Sequence, residues 1–134
     1  MSHGIPQKES DLLKQIRYIL DVLQTTGVLQ YWRMNTGPTV VRGKFFPNKQ
    51  SIGFSDLLIL IKNGPTLFVE LKTKTGKLSE AQRHFERRIN CAGGDRRFVV
   101  WRDLEQAQKE LNEFLQMGAQ RTTSAARLHT ASAS

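Results

Sequence analysis

The chain has 134 residues, enough for one domain with a modest core. Its 39% hydrophobic content is too high for a disordered chain, and its longest apolar run, Leu57 to Ile61, is far short of the roughly 20 residues a membrane span needs. A net charge of +8 suits a polyanionic partner and a generally basic, soluble protein equally, and the single cysteine, Cys91, excludes an internal disulfide and fits a reducing cytosol.

The start, Met1-Ser2-His3-Gly4, lacks a charged segment followed by an apolar core, so no signal peptide is expected and the expected location is cytoplasmic. Lys8 to about Thr26 reads as a helix, with Leu12, Leu13, Ile16, Leu20 and Leu23 at helical spacing and Gly27 ending it. Glu9 lies three and four residues before Leu12 and Leu13, so it is expected on the inward stripe. A carboxylate there is either a dipole-favoured acid of the first turn or part of a site.

Val28 to Met34 reads as the first strand, with Tyr31 and Trp32 as core or interface groups. Asn35 to Gly53 reads as a long loop, punctuated by Gly37-Pro38, Gly43 and Pro47-Asn48. It carries Arg42, Lys44 and Lys49 beside Phe45 and Phe46, and Thr39-Val40-Val41 allows a short strand within it. Long connections of this kind are often functional.

Ser55 to Ile61 and Thr66 to Lys72 read as strands joined by the turn Lys62-Asn63-Gly64-Pro65. The antiparallel hairpin brings Asp56, near the start of one arm, to Glu70, near the end of the other. Glu70 and Lys72 are two apart on a strand and share a face. Thr73 to Leu78 is a polar loop bearing Lys74 and Lys77.

Ser79 starts a helix to about Ala92, and Ser79 with Gln82 has the capping-box form. Ala81, Phe85, Ile89 and Ala92 make its apolar face, Arg83, Arg87 and Arg88 cover other faces, and Cys91 is expected half-buried. Arg97 to Trp101 is the next strand, and Asp103 caps a last helix through Leu104, Leu111, Phe114 and Leu115. A single domain is expected over residues 1–117, and a disordered tail from Gly118 on, rich in Ala, Ser and Thr. The class is α/β with a small mixed sheet.

Between Val22 and Gly94 stand eleven basic residues and only four acids, Asp56, Glu70, Glu80 and Glu86. An acidic pocket in a basic surface suits a polyanion handled through a metal. Hard divalent cations take carboxylate, carbonyl and water oxygens. Asp56, Glu70 and the Leu71 carbonyl could supply these, with Glu9 in the outer shell or bound through water. Lys72 would stand by the developing charge, and Gln82 could orient the water or Lys72. Alone, a Glu-x-Lys pair is more often an exposed ion pair of little worth, and Gln82 has a complete capping role. His3, His84 and His129 lack zinc-site spacing, and no Ser-His-Asp set or phosphate-cradling glycine loop is present.

Together, Gly53-Phe54-Ser55-Asp56, Glu70-Leu71-Lys72 and Gly76-Lys77-Leu78-Ser79-Glu80-Ala81-Gln82 resemble the PD-(D/E)xK nucleases, and most of all the VRR-NUC family. Phe54-Ser55 stands where proline is common in that superfamily; this alters a turn residue and no ligand. The resemblance implies a restriction-endonuclease-like αβββαβ core and a Mg²⁺- or Mn²⁺-dependent deoxyribonuclease of a bacterial or phage-infected cell. It implies Asp56 and Glu70 as metal ligands, Lys72 as the catalytic amine, Glu9 as the outer-shell acid and Gln82 as their support. Arg33 and Asn35 match an Arg-x-Asn pattern of the family, and Arg42, Lys44, Lys74, Lys77 and Arg83 are further candidates for DNA contact. Stand-alone members of this size resemble homodimeric Holliday-junction resolvases, so branched DNA and a homodimer are expected. A sequence-specific restriction-type nuclease and an inactive DNA-binding module are the alternatives.

Overall fold

The first apolar stripe makes a helix, α1 (Glu9–Thr25), which buries Leu12, Ile16 and Leu20. Lys8 at its N-cap offers no side-chain cap, but Glu9 and Asp11 in the first turn complement the helix dipole. The structure is a computed structural model, and it describes residues 8–34, 39–46 and 53–133. The side chains of 39–41, 45–46 and 129–133 lie outside that description.

After α1 come β1 (Leu29–Arg33), β2 (Thr39–Val41), β3 (Lys44–Phe46), β4 (Leu57–Ile61), β5 (Thr66–Leu71), α2 (Glu80–Ala92), β6 (Arg96–Trp101) and α3 (Leu104–Ala133). The four-stranded sheet has the order β1-β4-β5-β6. Its first three strands pair antiparallel, while β6 runs parallel to β5 after the α2 crossover. The helix–three strands–helix–strand order expected of the core is therefore present. The addition is a separate two-stranded hairpin, β2–β3, within the expected loop. Its tight turn places Arg42 at φ 52° and Gly43 at φ 74°, as a two-residue hairpin loop of mirror-image type requires.

One face of the sheet carries the core. Leu57, Ile59 and Ile61 alternate with less buried neighbours on β4; on β5 Leu67, Val69 and Leu71 share this face, and the alternation stops at Glu70, which is buried on the other. They pack with Leu12, Ile16 and Leu20 of α1, Trp101 at the end of β6, and Ala107 and Leu111 of α3. The opposite face is covered differently. There α2 sets Phe85 against Phe54, Phe68 and Phe98, with ring centroids 4.7, 5.6 and 6.1 Å apart. None of its residues is fully buried, and Cys91, expected half-buried, is exposed.

The Asn63-Gly64 turn docks on α3. Asn63 stands at φ 57°, and its Nδ2 donates to Thr122 Oγ1 at 2.7 Å. Arg121 reaches the Asn63 carbonyl and pairs with Asp95. Gly118 lies directly against the Lys62 carbonyl, where a Cβ would collide. The tail expected from Gly118 is thus helical through Ala133. Gly118 serves close packing rather than helix termination, and a helix-neutral Ala/Ser/Thr composition continues once its base is docked. Among the described residues no helix is long and apolar enough to cross a membrane.

Candidate active site

The hairpin register decides the centre of the site. Leu57 pairs with Val69, so the ladder carried one residue further sets Asp56 opposite Glu70. Asp56 is fixed on both sides: its carbonyl accepts from Met34 N at 2.8 Å, and its Oδ2 accepts from Leu71 N at 2.7 Å. The segment before it is equally constrained. Ser55 is fully buried with Oγ donating to the Leu57 carbonyl, and Gly53 at φ 77° passes α2 so closely that a Cβ would lie 2.5 Å from Ala81 O. Phe54-Ser55 therefore have packing roles of their own.

Glu70 shares the α2 face with Asp56 and is only 2% exposed. Gln82 Nε2 donates to its Oε1 at 2.8 Å, while its Oε2 is buried and accepts no hydrogen bond among the described residues. Burial pushes the Glu70 carboxyl up to about 8; the adjacent Asp56 charge, the hydrogen bond a protonated Glu70 donates to Asp56 and the Glu9 charge push the same way, and Lys72 opposes them. Two carboxylates held side by side, one with an orphaned oxygen, are costly unless a proton or a cation sits between them. The donors are hard oxygens, and they fit a hard divalent cation that keeps several waters.

Gln82 has two roles at once. Its Oε1 accepts from Ser79 N at 2.8 Å and its backbone N–H reaches Ser79 Oγ at 3.1 Å, completing the capping box. Its amide nitrogen is left to hold Glu70. The cap and the site are one structure.

Glu9 is exposed at the start of α1 rather than buried with the inward stripe. Its charge still acts on Glu70, but among the described residues no group of three or more acidic, His or Cys side chains is close enough to hold a metal. Glu9 shares a helix face with Leu12 and Leu13 but stands in the first turn of α1, where it is left exposed.

A family model for the VRR-NUC domain matches residues 8–103. The chain belongs to the VRR-NUC domain family. A solved structure described as a VRR-NUC domain has the same fold, with a TM-score of 0.50 and 20% identity over 77% of this chain and 96% of that one. No curated protein matches the chain. The family is a nuclease-type one, and the matched segment contains every acid, lysine and glutamine of the pocket.

Within this VRR-NUC domain, Lys72 leaves β5 with its N–H bonded to the Trp101 carbonyl at 3.1 Å, and its charge acts on Glu70. The following turn is clamped by Arg102, whose Nη1 donates to the Thr73 and Gly76 carbonyls at 2.9 and 2.6 Å. Arg102 was not legible as a site residue. Its partners are backbone carbonyls 29 and 26 residues earlier, which no local pattern announces.

The candidate DNA contacts separate by place. Lys74 and Lys77 are exposed on the turn beside Lys72, and Arg83 is exposed on α2 with Nε donating to the Leu78 carbonyl. Arg42 and Lys44 are exposed on the β2–β3 hairpin. Arg33 pairs in register with Leu57, so it projects to the core side of the sheet, away from Glu70. There it borders a groove with Lys14, Arg17 and Tyr18 of α1. Asn35 lies outside the described residues. Of the aromatic interface candidates, Tyr31 packs on the core and hydrogen-bonds Asp21, whereas Trp32 is exposed. The side chains of Phe45 and Phe46 lie outside the described residues.

Proposed function

We propose that this protein is a Mg²⁺- or Mn²⁺-dependent endonuclease that hydrolyses phosphodiester bonds of branched DNA in replication, recombination or repair. The carrying observation is the Asp56–Glu70 pair with its buried Glu70 Oε2, which accepts no hydrogen bond among the described residues. An inactive binding module has no use for such a pair, because two carboxylates repel phosphate.

Asp56, Glu70 and the Leu71 carbonyl would hold the ion. When bound, it supplies Lewis-acid polarisation of the phosphate and a lowered pKa for its water. Gln82 fixes one oxygen of Glu70 and leaves the other for the ion. Asp56 is held in place by the Leu71 N–H. Lys72 brings an ammonium to where negative charge develops as a water oxygen bonds to phosphorus and a bridging P–O bond breaks. Lys74 and Lys77 flank it as phosphate contacts. Junction or flap selectivity and a homodimer complete the proposal. A C2 pair of this domain presents two sites to a four-way junction of matching symmetry.

The test is cleavage by the purified chain over a panel of four-way junction, 5′ flap, 3′ flap, duplex and single strand, with Mg²⁺, Mn²⁺ or EDTA. Branched substrates are cut with metal and spared in EDTA. Asp56→Ala and Glu70→Ala abolish cutting yet bind DNA at least as well as the parent, having lost like charge. Lys72→Ala slows cutting roughly 10²–10³-fold. Parental cutting by all three variants would falsify the site.

A further inference from the structure

Among the described residues, α2 covers only part of the site face of the sheet. Phe85 of α2 seals it over β5 and β6 through Phe68 and Phe98. Over β1 and β4, register puts Trp32 beside Leu58 and Gln30 beside Leu60 on this same face. Trp32 is 48% exposed and Leu60 39% exposed.

Trp32 is a diagonal neighbour of Asp56. Its direct partner is Leu58, and Asp56 is the following residue of that face, with the ladder continued by Met34 N to Asp56 O at 2.8 Å. Such diagonal neighbours stand roughly 7–8 Å apart, within reach of an aromatic ring. An exposed indole one row from a phosphate-handling pocket presents a broad apolar face to whatever continues from the scissile phosphate. A base within a duplex is already stacked on both sides and offers only its edge. An unpaired base offers its face, and indole stacking accepts any of the four bases.

We propose that Trp32 is the stacking platform for an unpaired nucleobase flanking the scissile phosphate. It thereby makes the site select DNA with an unpaired nucleotide at the cut, as in a flap or an open branch point, over continuous duplex. This rests on the nuclease reading above and specifies its substrate.

The chain has two tryptophans, and Trp101 is fully buried, so DNA-dependent quenching of tryptophan fluorescence reports on Trp32. The full chain is titrated in EDTA with a 5′ flap DNA and with a blunt duplex of the same sequence. The flap quenches the exposed emission saturably, and the duplex does not. Trp32→Ala lowers the flap-over-duplex affinity ratio roughly 5- to 150-fold, and Trp32→Phe restores most of it. With metal, the ratio of cleavage rates on the two DNAs falls alongside.

Unchanged emission at saturating flap overturns the proposal, as does an unaltered affinity ratio in Trp32→Ala. So does a blue shift of the exposed emission with protein concentration alone, which would show a second copy covering the indole. Failure of the nuclease reading shows separately, as no cutting of any DNA with either metal while quenching persists. Cutting without quenching sinks the stacking platform alone.

Discussion

Glu70 is a buried carboxyl with one oxygen held by Gln82 and the other accepting no hydrogen bond among the described residues. Its pKa, raised to about 8, has a definite consequence for the metal-free protein. A carboxyl that binds its proton more tightly when folded favours the native state most below its unfolded pKa, and that contribution is lost as pH rises through the folded value. Parent minus Glu70→Gln melting temperature, measured in EDTA, is therefore expected to fall between about pH 4.5 and about pH 8. A difference that stays flat or rises across that window would refute the buried-acid assignment. At the high end of the window, if the pair holds the proposed cation, added Mg²⁺ is expected to raise the melting temperature of the parent by mass action and to leave Glu70→Gln unmoved. Gln82 separates its two roles by substitution. Gln82→Glu keeps the capping acceptor for Ser79 N–H but turns a third carboxylate on Glu70. It is expected to keep α2 nearly as stable while losing cleavage at least about tenfold. Gln82→Ala loses both, with about 1 kcal/mol of stability. Thermal melts alongside initial rates check this, and Gln82→Glu cutting at the parental rate would remove Gln82 from the site.

Elements place these residues by contacts made far from the chemistry. The β4–β5 hairpin that pairs Asp56 with Glu70 is anchored at its far end by α3, through Asn63, Thr122, Arg121 and the close passage of Gly118. Gly118→Ala would ordinarily help a helix by about 1 kcal/mol. Here the added methyl meets the Lys62 carbonyl, and a net loss of about 1–3 kcal/mol is expected in urea unfolding. A stabilised variant would mean that α3 does not dock on this turn. The docking lies past residue 103, where the family match ends, so this hairpin is braced by a part of the chain outside the matched domain.

For the whole molecule, the +8 charge makes association with DNA electrostatic and strongly salt-dependent. Lys77 stands exposed beside the pocket without a part in the acid pair. Lys77→Ala is expected to weaken binding to junction, flap and duplex alike, and to reduce the slope of log affinity against log salt by about one. Titrations over a salt series decide it, and an unchanged slope would exclude a phosphate contact there. Opposite the pocket face, Arg33 with Lys14 and Arg17 carries positive charge on the α1 side, so the basic surface wraps more than the site.

Much of this was legible in the residues alone because it follows local rules. Period-two and period-3.6 apolar patterns marked the strands and helices, Asn63-Gly64 marked the turn, and Ser79 with Gln82 marked the cap. From those, Asp56 had to face Glu70, with Lys72 on the same side. Even the weakest segment, Thr39-Val40-Val41, held enough β-branched character to be admitted as a short strand, which β2 is. What tertiary structure alone decided is which surfaces are covered and by what. It left Glu9 exposed, left Glu70 Oε2 without a hydrogen-bond partner among the described residues, exposed Trp32 and Cys91, sent Arg33 to the far face and carried α3 past Gly118. Each depends on packing between segments distant in the chain, as when Arg102 clamps a turn 26 residues earlier. Periodicity reveals that a residue has two faces to choose between; only the neighbours brought by the fold determine which face is dry, and so where an acid must find a proton or a cation.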